Sequence, residues 1–306
     1  SGVIFTNIFN INNSFSNIIA IFLLIVTGVF LSFGKSLYKS LEAFQKILIF
    51  IGVPIILIIT FLVLDFETVK ETSKGIFGFG NNYFLIPKDL AFITFLGALA
   101  YSGAGGNLNL AQSFYIKEKG YGMGKYSSKI TTLIDDSKKY EIQGKQFRNT
   151  KQNILNFNKW WKMINLEHFI VFWGVGFFTI LLLAMLAKAT VYNNPNNTHE
   201  GVAFIFLQAQ VVGLKLGYFI GKILLVITAL MMFSTQLSVI DAVSRIITEN
   251  VAIINKNNNH KSNLGYSKIY YLIVWSLITF GILVLSLNFA EPKLLIIIGR
   301  ALVGIF

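Results

Sequence analysis

The stretch that decides the fold reads YSGAGGNLN, residues 101–109, in the middle of the hydrophobic segment 90–115. The segment is long enough to cross a bilayer, which takes about 20 residues. Three glycines and two asparagines are poor helix formers, and lipid offers no hydrogen bonds to the backbone groups that unwinding would free. Transporters use such breaks to build a solute site from two half-helices. The stretch therefore predicts a membrane protein with one discontinuous helix that handles a small polar solute.

The composition of the whole chain predicts the same class. Apolar residues are 54% of the 306 residues and charged residues only 13%, against about 25% charged in globular proteins; the mean hydropathy is +0.64. We expect an all-α integral membrane protein with about seven transmembrane helices in a single domain, residues 1–306. The last segment is short and the chain begins at Ser1, so we expect a domain truncated at both ends. The apolar segments are 15–33, 44–64, 90–115, 169–187, 216–239, 270–287 and 294–306.

Positive charge is sorted along the chain. Eighteen of the 26 lysines and arginines lie in three alternate connections, 34–46, 116–162 and 245–268. Positively charged loops stay cytoplasmic, so these connections are predicted to face the cytoplasm, with 116–163 as a basic cytoplasmic loop. We therefore expect a multi-pass protein of the bacterial inner membrane, with the lipid bilayer as its partner. The sorting argues against nucleic acid as a partner, despite the net charge of +12.

The break supplies the strongest candidate binding site. Unwinding would free backbone carbonyls to coordinate a cation or its water shell, and asparagine and glutamine side chains add amide oxygens. A small-residue contact between two helices is the alternative, since glycines let backbones approach closely. The predicted ion-binding residues are Gly103, Ala104, Gly105, Gly106, Asn107, Asn109 and Gln112.

A second set of polar residues marks a candidate pathway. Thr235 and Gln236 precede Asp241 and Arg245, which are four residues apart and can pair on one helix face. Polar groups inside a membrane are costly and should face protein or water. They line an inward route in one interpretation; in the other, the Asp–Arg pair merely fastens helices together. Arg300, in the last segment, could repel cations, balance a carboxylate or bind an anion.

Other chemistry is weakly supported by the sequence. Gly120 to Lys125 superficially resembles a phosphate-binding loop but lacks the Walker spacing. The three histidines lie in or beside different loops and form no ligand cluster, and the absence of cysteine excludes disulfides and thiolate metal sites. We therefore expect neither an enzyme nor a resident cofactor; a divalent cation would be cargo.

The segment GGNLNLAQS, residues 105–113, resembles the sixth helix of the Nramp (natural resistance-associated macrophage protein) divalent-metal transporters. There a Met-Pro-His sequence precedes an Asn-Leu-x-Leu-like run. The resemblance extends over nearly the whole chain, as family helices four to ten. It also includes LEAF at 41–44 and the polar stretch 234–245. It implies part of a leucine-transporter-like inverted-repeat fold, with metal held near Ala104 and Asn107.

The departures from the family pattern change the expected cargo. The family's metal-binding methionine falls at Ala104, its proline at Gly105 and its histidine at Gly106. Loss of the thioether removes the preference for soft metals, and a roomy oxygen-lined site suits hydrated Mg²⁺. Loss of the histidine puts proton coupling in question, and Arg300 falls near a coordinating amide of the family.

Two functions from different classes follow from the sequence. The first is a secondary transporter that moves a small inorganic cation by alternating access at the broken helix. The alternative is a non-transporting membrane scaffold or sensor, whose basic cytoplasmic loop binds a partner or anionic lipid.

Overall fold

A computed structural model describes residues 2–32, 37–79, 92, 95, 110–126, 130, 146–192, 203–257 and 265–287. These residues form helices joined by short connections, and none of them lies in a β-strand. The expected all-α class is confirmed for this part of the chain. The described helices are α1 (Gly2–Ile8), α2 (Ser16–Ser32), α3 (Leu37–Val63), α4 (Phe66–Ile76), α5 (Ala111–Lys119), α6 (Lys151–Tyr192), α7 (Ala203–Leu216), α8 (Tyr218–Asn257) and α9 (Tyr266–Ser286).

Four of the described helices, α3, α6, α8 and α9, are long and apolar enough to cross a membrane. Their spans contain 26, 42, 38 and 21 residues, and α2 and α7 are shorter apolar helices. They correspond to the predicted segments 44–64, 169–187, 216–239 and 270–287. The predicted segment 294–306 and most of 90–115, including 96–109, lie outside the described residues. The described helices are thus compatible with a membrane protein and provide four candidate spans.

The helices extend beyond the apolar segments into the charged connections. The forty residues of α8 correspond to about 60 Å at 1.5 Å per residue, twice the thickness of the hydrocarbon core. The predicted loops therefore contain much helix: 37–46 is in α3, 151–162 in α6 and 245–257 in α8. Charged side chains do not end a helix once it leaves the lipid, because Lys, Arg and Glu are good helix formers.

Helix α6 contains two stretches of π-helix. The α-helical parts Lys151–Glu167 and Gly176–Ala187 are each followed by a π-helix, His168–Val175 and Lys188–Tyr192. In the most apolar stretch of α6, only 6% of the helix is buried by the rest of the chain. Phe169, Trp173 and Phe177 stack in a row, each with about half or more of its area exposed. So large an apolar face requires lipid or another protein to cover it.

Helix α8 is the centre of the described bundle and contacts α1, α2, α3, α5, α7 and α9. Its two halves pack in two hydrophobic clusters. Near its start, Leu224 and Ile227 pack with the end of α3, with Leu186 of α6 and with α7. Further along, Leu237 packs with Leu31 of α2, the start of α3 and four residues of α9. The first part of α8 therefore packs with the end of α3 and with α7, and a later part packs with the start of α3, with α2 and with α9.

The tight pairing of α7 and α8 depends on a glycine. A Cβ atom at Gly221 would lie 2.5 Å from the carbonyl oxygen of Ala209 and 3.2 Å from Cα of Gly213. The chain reverses between the two helices at Gly217, whose φ of +111° is a backbone conformation that favours glycine. Small residues that let helix backbones touch are typical of helix contacts in membranes.

Candidate functional site

A large cleft lies between α3, α5 and α6. Its volume is about 1030 Å³. Along α3 it runs from Tyr38 to Val53, about 22 Å of helix. It therefore extends from one end of α3 to just past the middle of that helix. A space of this size is too large to be a tight ion site.

Polar side chains occur along the whole cleft, among apolar ones. Gln45 of α3, Gln112 of α5 and Asn165, His168 and Thr179 of α6 all line it. Amide, hydroxyl and imidazole groups can hydrogen-bond water or a hydrated solute without carrying charge. The π-helix that begins at His168 lies beside this cleft, and π-turns in helices occur frequently at functional sites.

Gln112 is the one predicted ion-binding residue that the structure describes. It lies in the first turn of α5, and its Nε2 donates to Nδ1 of His168 at 2.9 Å. The remaining predicted ion-binding residues, 103–107 and 109, and the pathway residue Arg300 lie outside the described part. Since Gln112 lines the cleft and follows Asn109 by three residues, the cleft reaches the start of α5, directly after the predicted break.

An ion pair lies at one end of the cleft. Lys119 of α5 pairs with Glu167 of α6, and the hydroxyl of Tyr121 donates to the same carboxylate at 3.0 Å. Partial burial alone would lower the pKa of Lys119. The hydrogen bonds to Glu167 and Tyr121 and the electrostatic attraction of these groups together outweigh it, so the pKa of Lys119 is above its ordinary value. Lys119 is therefore charged at neutral pH, and the pair tethers α5 to α6.

A buried charge cluster lies behind the cleft. The guanidinium of Arg245 donates through Nε to both oxygens of Asp241, at 2.9 and 3.0 Å, and through Nη1 to Glu118 at 3.1 Å. Asp241 is fully buried, Arg245 is 1% exposed and Glu118 is 8% exposed. Two tyrosine hydroxyls complete the shell of Asp241: Tyr270 donates at 2.6 Å and Tyr115 at 3.0 Å. The cluster joins α5, α8 and α9.

The predicted Asp241–Arg245 pair is thus present, and it fastens three helices together. Tyr115 connects it to the cleft, because its hydroxyl bonds Asp241 while the residue also lines the cleft beside Tyr38. Any change in the position of α5 must move Tyr115 and Glu118 relative to α8. The cluster is therefore placed to hold one wall of the cleft in position.

The other predicted pathway residues point in different directions. Gln236 donates to Thr27 of α2 at 3.1 Å, on the side of α8 away from the cleft. Thr235 is exposed and bonds the carbonyl of Met231 in its own helix. A polar residue not predicted, Ser238, accepts from Gln45 of α3 at 2.6 Å. The structure therefore does not gather Thr235, Gln236 and Asp241 along one route.

Sequence reasoning also missed Glu118, Tyr115 and Tyr270 as partners of the Asp–Arg pair. Arg245 and Glu118 are 127 residues apart, a distance at which no helical spacing rule applies. One signal was present: Glu118 is the only acidic residue in the stretch 110–126, and an acid among many bases next to a span is a candidate ion-pair partner.

Comparison with known proteins gives no relative of this chain. It matches no protein-family model, and neither curated proteins nor solved structures show significant similarity to it.

Proposed function

We propose that the chain is the core of a membrane transporter for a small hydrated cation, and that the cleft is the aqueous vestibule to its binding site. The observation that carries the proposal is a cleft that reaches mid-helix at Val53 and contains polar side chains among mostly apolar ones, from the charged end at Lys119 and Glu167 to Thr179. A bundle that only anchors or signals has no need of polar side chains in a cleft that reaches the middle of a span.

The charge pattern sets the direction of the vestibule. The cleft end near Tyr38 and Lys119 belongs to the connections 34–46 and 116–162, which are rich in lysine. By the positive-inside rule this end faces the cytoplasm. The vestibule then leads inward to Gln112 and, three residues before it, to the proposed site at 103–109. Alternating access would close this path and open one on the other side.

The chemistry of the lining favours a cation that keeps its water. The described polar residues of the vestibule offer amide and hydroxyl oxygens, and the two charged side chains that line it, Lys119 and Glu167, neutralise each other. Such a surface binds a hydration shell more readily than a bare soft metal. An Nramp-like transporter of hydrated Mg²⁺ is the specific form of the proposal, and it rests on the motif at 105–113 with Ala104 in place of methionine.

The test is uptake of Mg²⁺ by the full-length protein in proteoliposomes. We expect Gln112→Leu to reduce uptake about tenfold or more, the effect of losing one hydrogen bond to a charged or strongly polarised group. Gln152→Leu is the matched control, because Gln152 is exposed on α6 and bonds only Asn156 among the described contacts. Asn107→Leu tests the tight site itself, and we expect it to abolish uptake.

Three outcomes count against the proposal. Absence of ion-dependent flux in the parent protein would favour the alternative of a scaffold or sensor. Equal Mg²⁺ uptake by the parent, Gln112→Leu and Asn107→Leu would show that neither the vestibule nor the predicted break contacts the transported ion. If Mn²⁺ inhibits Mg²⁺ uptake more strongly than unlabelled Mg²⁺ does at the same concentration, the site prefers the softer metal and the argument from Ala104 is contradicted.

A further inference from the structure

A second pocket, which adjoins the vestibule at Ile116 and Tyr121, lies between the end of α5, the turn after it and the start of α6. Its volume is about 420 Å³, and Lys117, Lys125 and Asn153 are among the residues that line it. One wall is aromatic: Phe157 packs edge-on against Trp160, with ring centres 4.9 Å apart, and both line the pocket.

The turn that forms the opposite wall is held close to this aromatic wall by a glycine. Gly122 has a φ of +55°, and a Cβ atom there would lie 2.7 Å from Cε2 of Trp160. The backbone of the turn 122–126 therefore lies directly against the indole. A wall built this way is defined by packing and does not depend on the placement of a long flexible side chain.

The pocket is positive. Of the described residues that line it, two are lysines and none is acidic. The stretches 110–126 and 146–167 contain two acidic residues, Glu118 and Glu167, and these are engaged by Arg245 and Lys119 outside the pocket. Asn156 adds a neutral amide donor, and Asn153 adds another, with one of its two amide hydrogens bonded to the carbonyl of Arg148. Ammonium groups with amide donors are suited to a phosphate oxygen.

Its place in the chain is that of the membrane surface. Trp160, Tyr121 and Tyr126 line it, and Trp161 is the next residue, at the charged end of α6, where the apolar part of the helix begins. Trp and Tyr are enriched at the headgroup level, and basic clusters on the cytoplasmic side attract anionic lipids.

We propose that this pocket binds the phosphate of an anionic phospholipid of the cytoplasmic leaflet, with the headgroup between Lys117 and Lys125 and the acyl chains along the exposed apolar face of α6. The occupant is a lipid and not a soluble anion because the pocket opens beside that lipid-facing helix. This site does not depend on transport, since none of its lysines lines the vestibule.

The experiment reconstitutes the full-length protein into nanodiscs of phosphatidylcholine mixed with phosphatidylglycerol. The protein is then transferred to detergent, and mass spectrometry of the intact protein counts the lipid it retains. We expect one retained phosphatidylglycerol, enriched over phosphatidylcholine. Each of Lys117→Gln and Lys125→Gln should reduce the enrichment about fivefold.

A charge-neutral variant separates a pocket from general attraction. Asn156→Phe places a ring in the pocket without changing any charge and should displace the lipid. Asn158→Phe is its matched control, because Asn158 is also exposed on α6 but points about 200° around the helix and lies outside the lining; this variant should retain the lipid. A second control, Lys151→Gln with Lys159→Gln, lowers the local charge by as much as the pair Lys117→Gln with Lys125→Gln, but changes no residue that lines the pocket.

Two results would overturn the proposal. If both lysine pairs reduce the enrichment equally and Asn156→Phe has no effect, the attraction is diffuse and there is no site. If inorganic phosphate displaces phosphatidylglycerol at concentrations comparable to those of the lipid, the pocket takes a free anion and the lipid assignment is wrong. Neither result bears on Mg²⁺ uptake, so failure here leaves the transport proposal standing.

Discussion

Replacing Asp241 with asparagine removes the carboxylate that organises the buried cluster. Asp241 accepts from Tyr270 and Tyr115 and from Nε of Arg245, all within 2.6–3.0 Å. Asparagine is nearly the same size, but one of its two terminal groups is a donor. At least one of the three donors would then face another donor, and Arg245 would keep Glu118 as its only described carboxylate partner.

The expected cost follows from this burial. Removing one partner of a buried ion pair costs about 3–5 kcal/mol, because an uncompensated charge is left inside. The whole free energy of unfolding of a typical domain is about 5–15 kcal/mol. Glu118→Gln should cost less, about 1–3 kcal/mol, since Asp241 still binds the guanidinium. Arg245→Met leaves the Asp241 carboxylate buried and should again cost about 3–5 kcal/mol.

The double variant provides the decisive comparison. Asp241→Asn with Arg245→Met removes both charges together, so its cost should fall short of the sum of the single costs by about 2–3 kcal/mol, within the range measured for residues in one network. The assay is reversible unfolding of the full-length protein in mixed micelles with a denaturing detergent. Glu249→Gln, on the same helix, is the control and should stay within about 0.5 kcal/mol. Additive single costs would refute the network.

Two further predictions concern helix contacts and helix termini. Gly221→Ala should destabilise the protein by about 1–3 kcal/mol, because its Cβ would meet the Ala209 carbonyl, whereas Gly176→Ala, with no atom within 4 Å of the new Cβ, should be neutral or slightly stabilising in the same unfolding assay. Asp65 caps α4 by accepting a hydrogen bond from the backbone N–H of Thr68 at 2.7 Å, and hydrogen bonding to Thr68 lowers the pKa of the Asp65 carboxyl group. The cap is therefore fully formed above the ordinary pKa of an aspartate and is lost as the pH falls through the lowered pKa of Asp65. Hydrogen exchange of α4 should become faster over that acidic range in the parent and show no such pH step in Asp65→Asn, and a step retained in the variant would contradict the assignment.

What could be predicted from the sequence depended on local geometry and on composition. The four spans follow from lipid solubility, which is a sum over about 20 residues and needs no knowledge of packing. The Asp241–Arg245 pair follows from four-residue spacing on one helix face. Both are properties of a single helix, and both are found in the described residues.

Contacts between helices could not be predicted in the same way. The cluster takes Glu118 from a segment that looks like a solvated basic loop, and Gln236 bonds Thr27 across 209 residues. The polar stretch at 234–245 was expected to follow one route, but successive residues of a helix turn by 100° and so Thr235, Gln236 and Asp241 face different neighbours. The π-turns of α6 were also not foreseen, because its uniformly apolar sequence carries no periodic signal there.

The vestibule at the centre of the proposed function can be tested directly by thiol labelling, since the chain contains no cysteine. Ile49 lines the cleft, whereas Phe50, the next residue of α3, is 77% exposed and lies outside the lining. A membrane-impermeant thiol reagent needs a hydrated thiolate. Added from the cytoplasmic side of proteoliposomes, it should modify Ile49→Cys and leave Phe50→Cys unmodified. Equal labelling of the two variants, or no labelling of Ile49→Cys, would contradict a water-filled cleft between α3, α5 and α6.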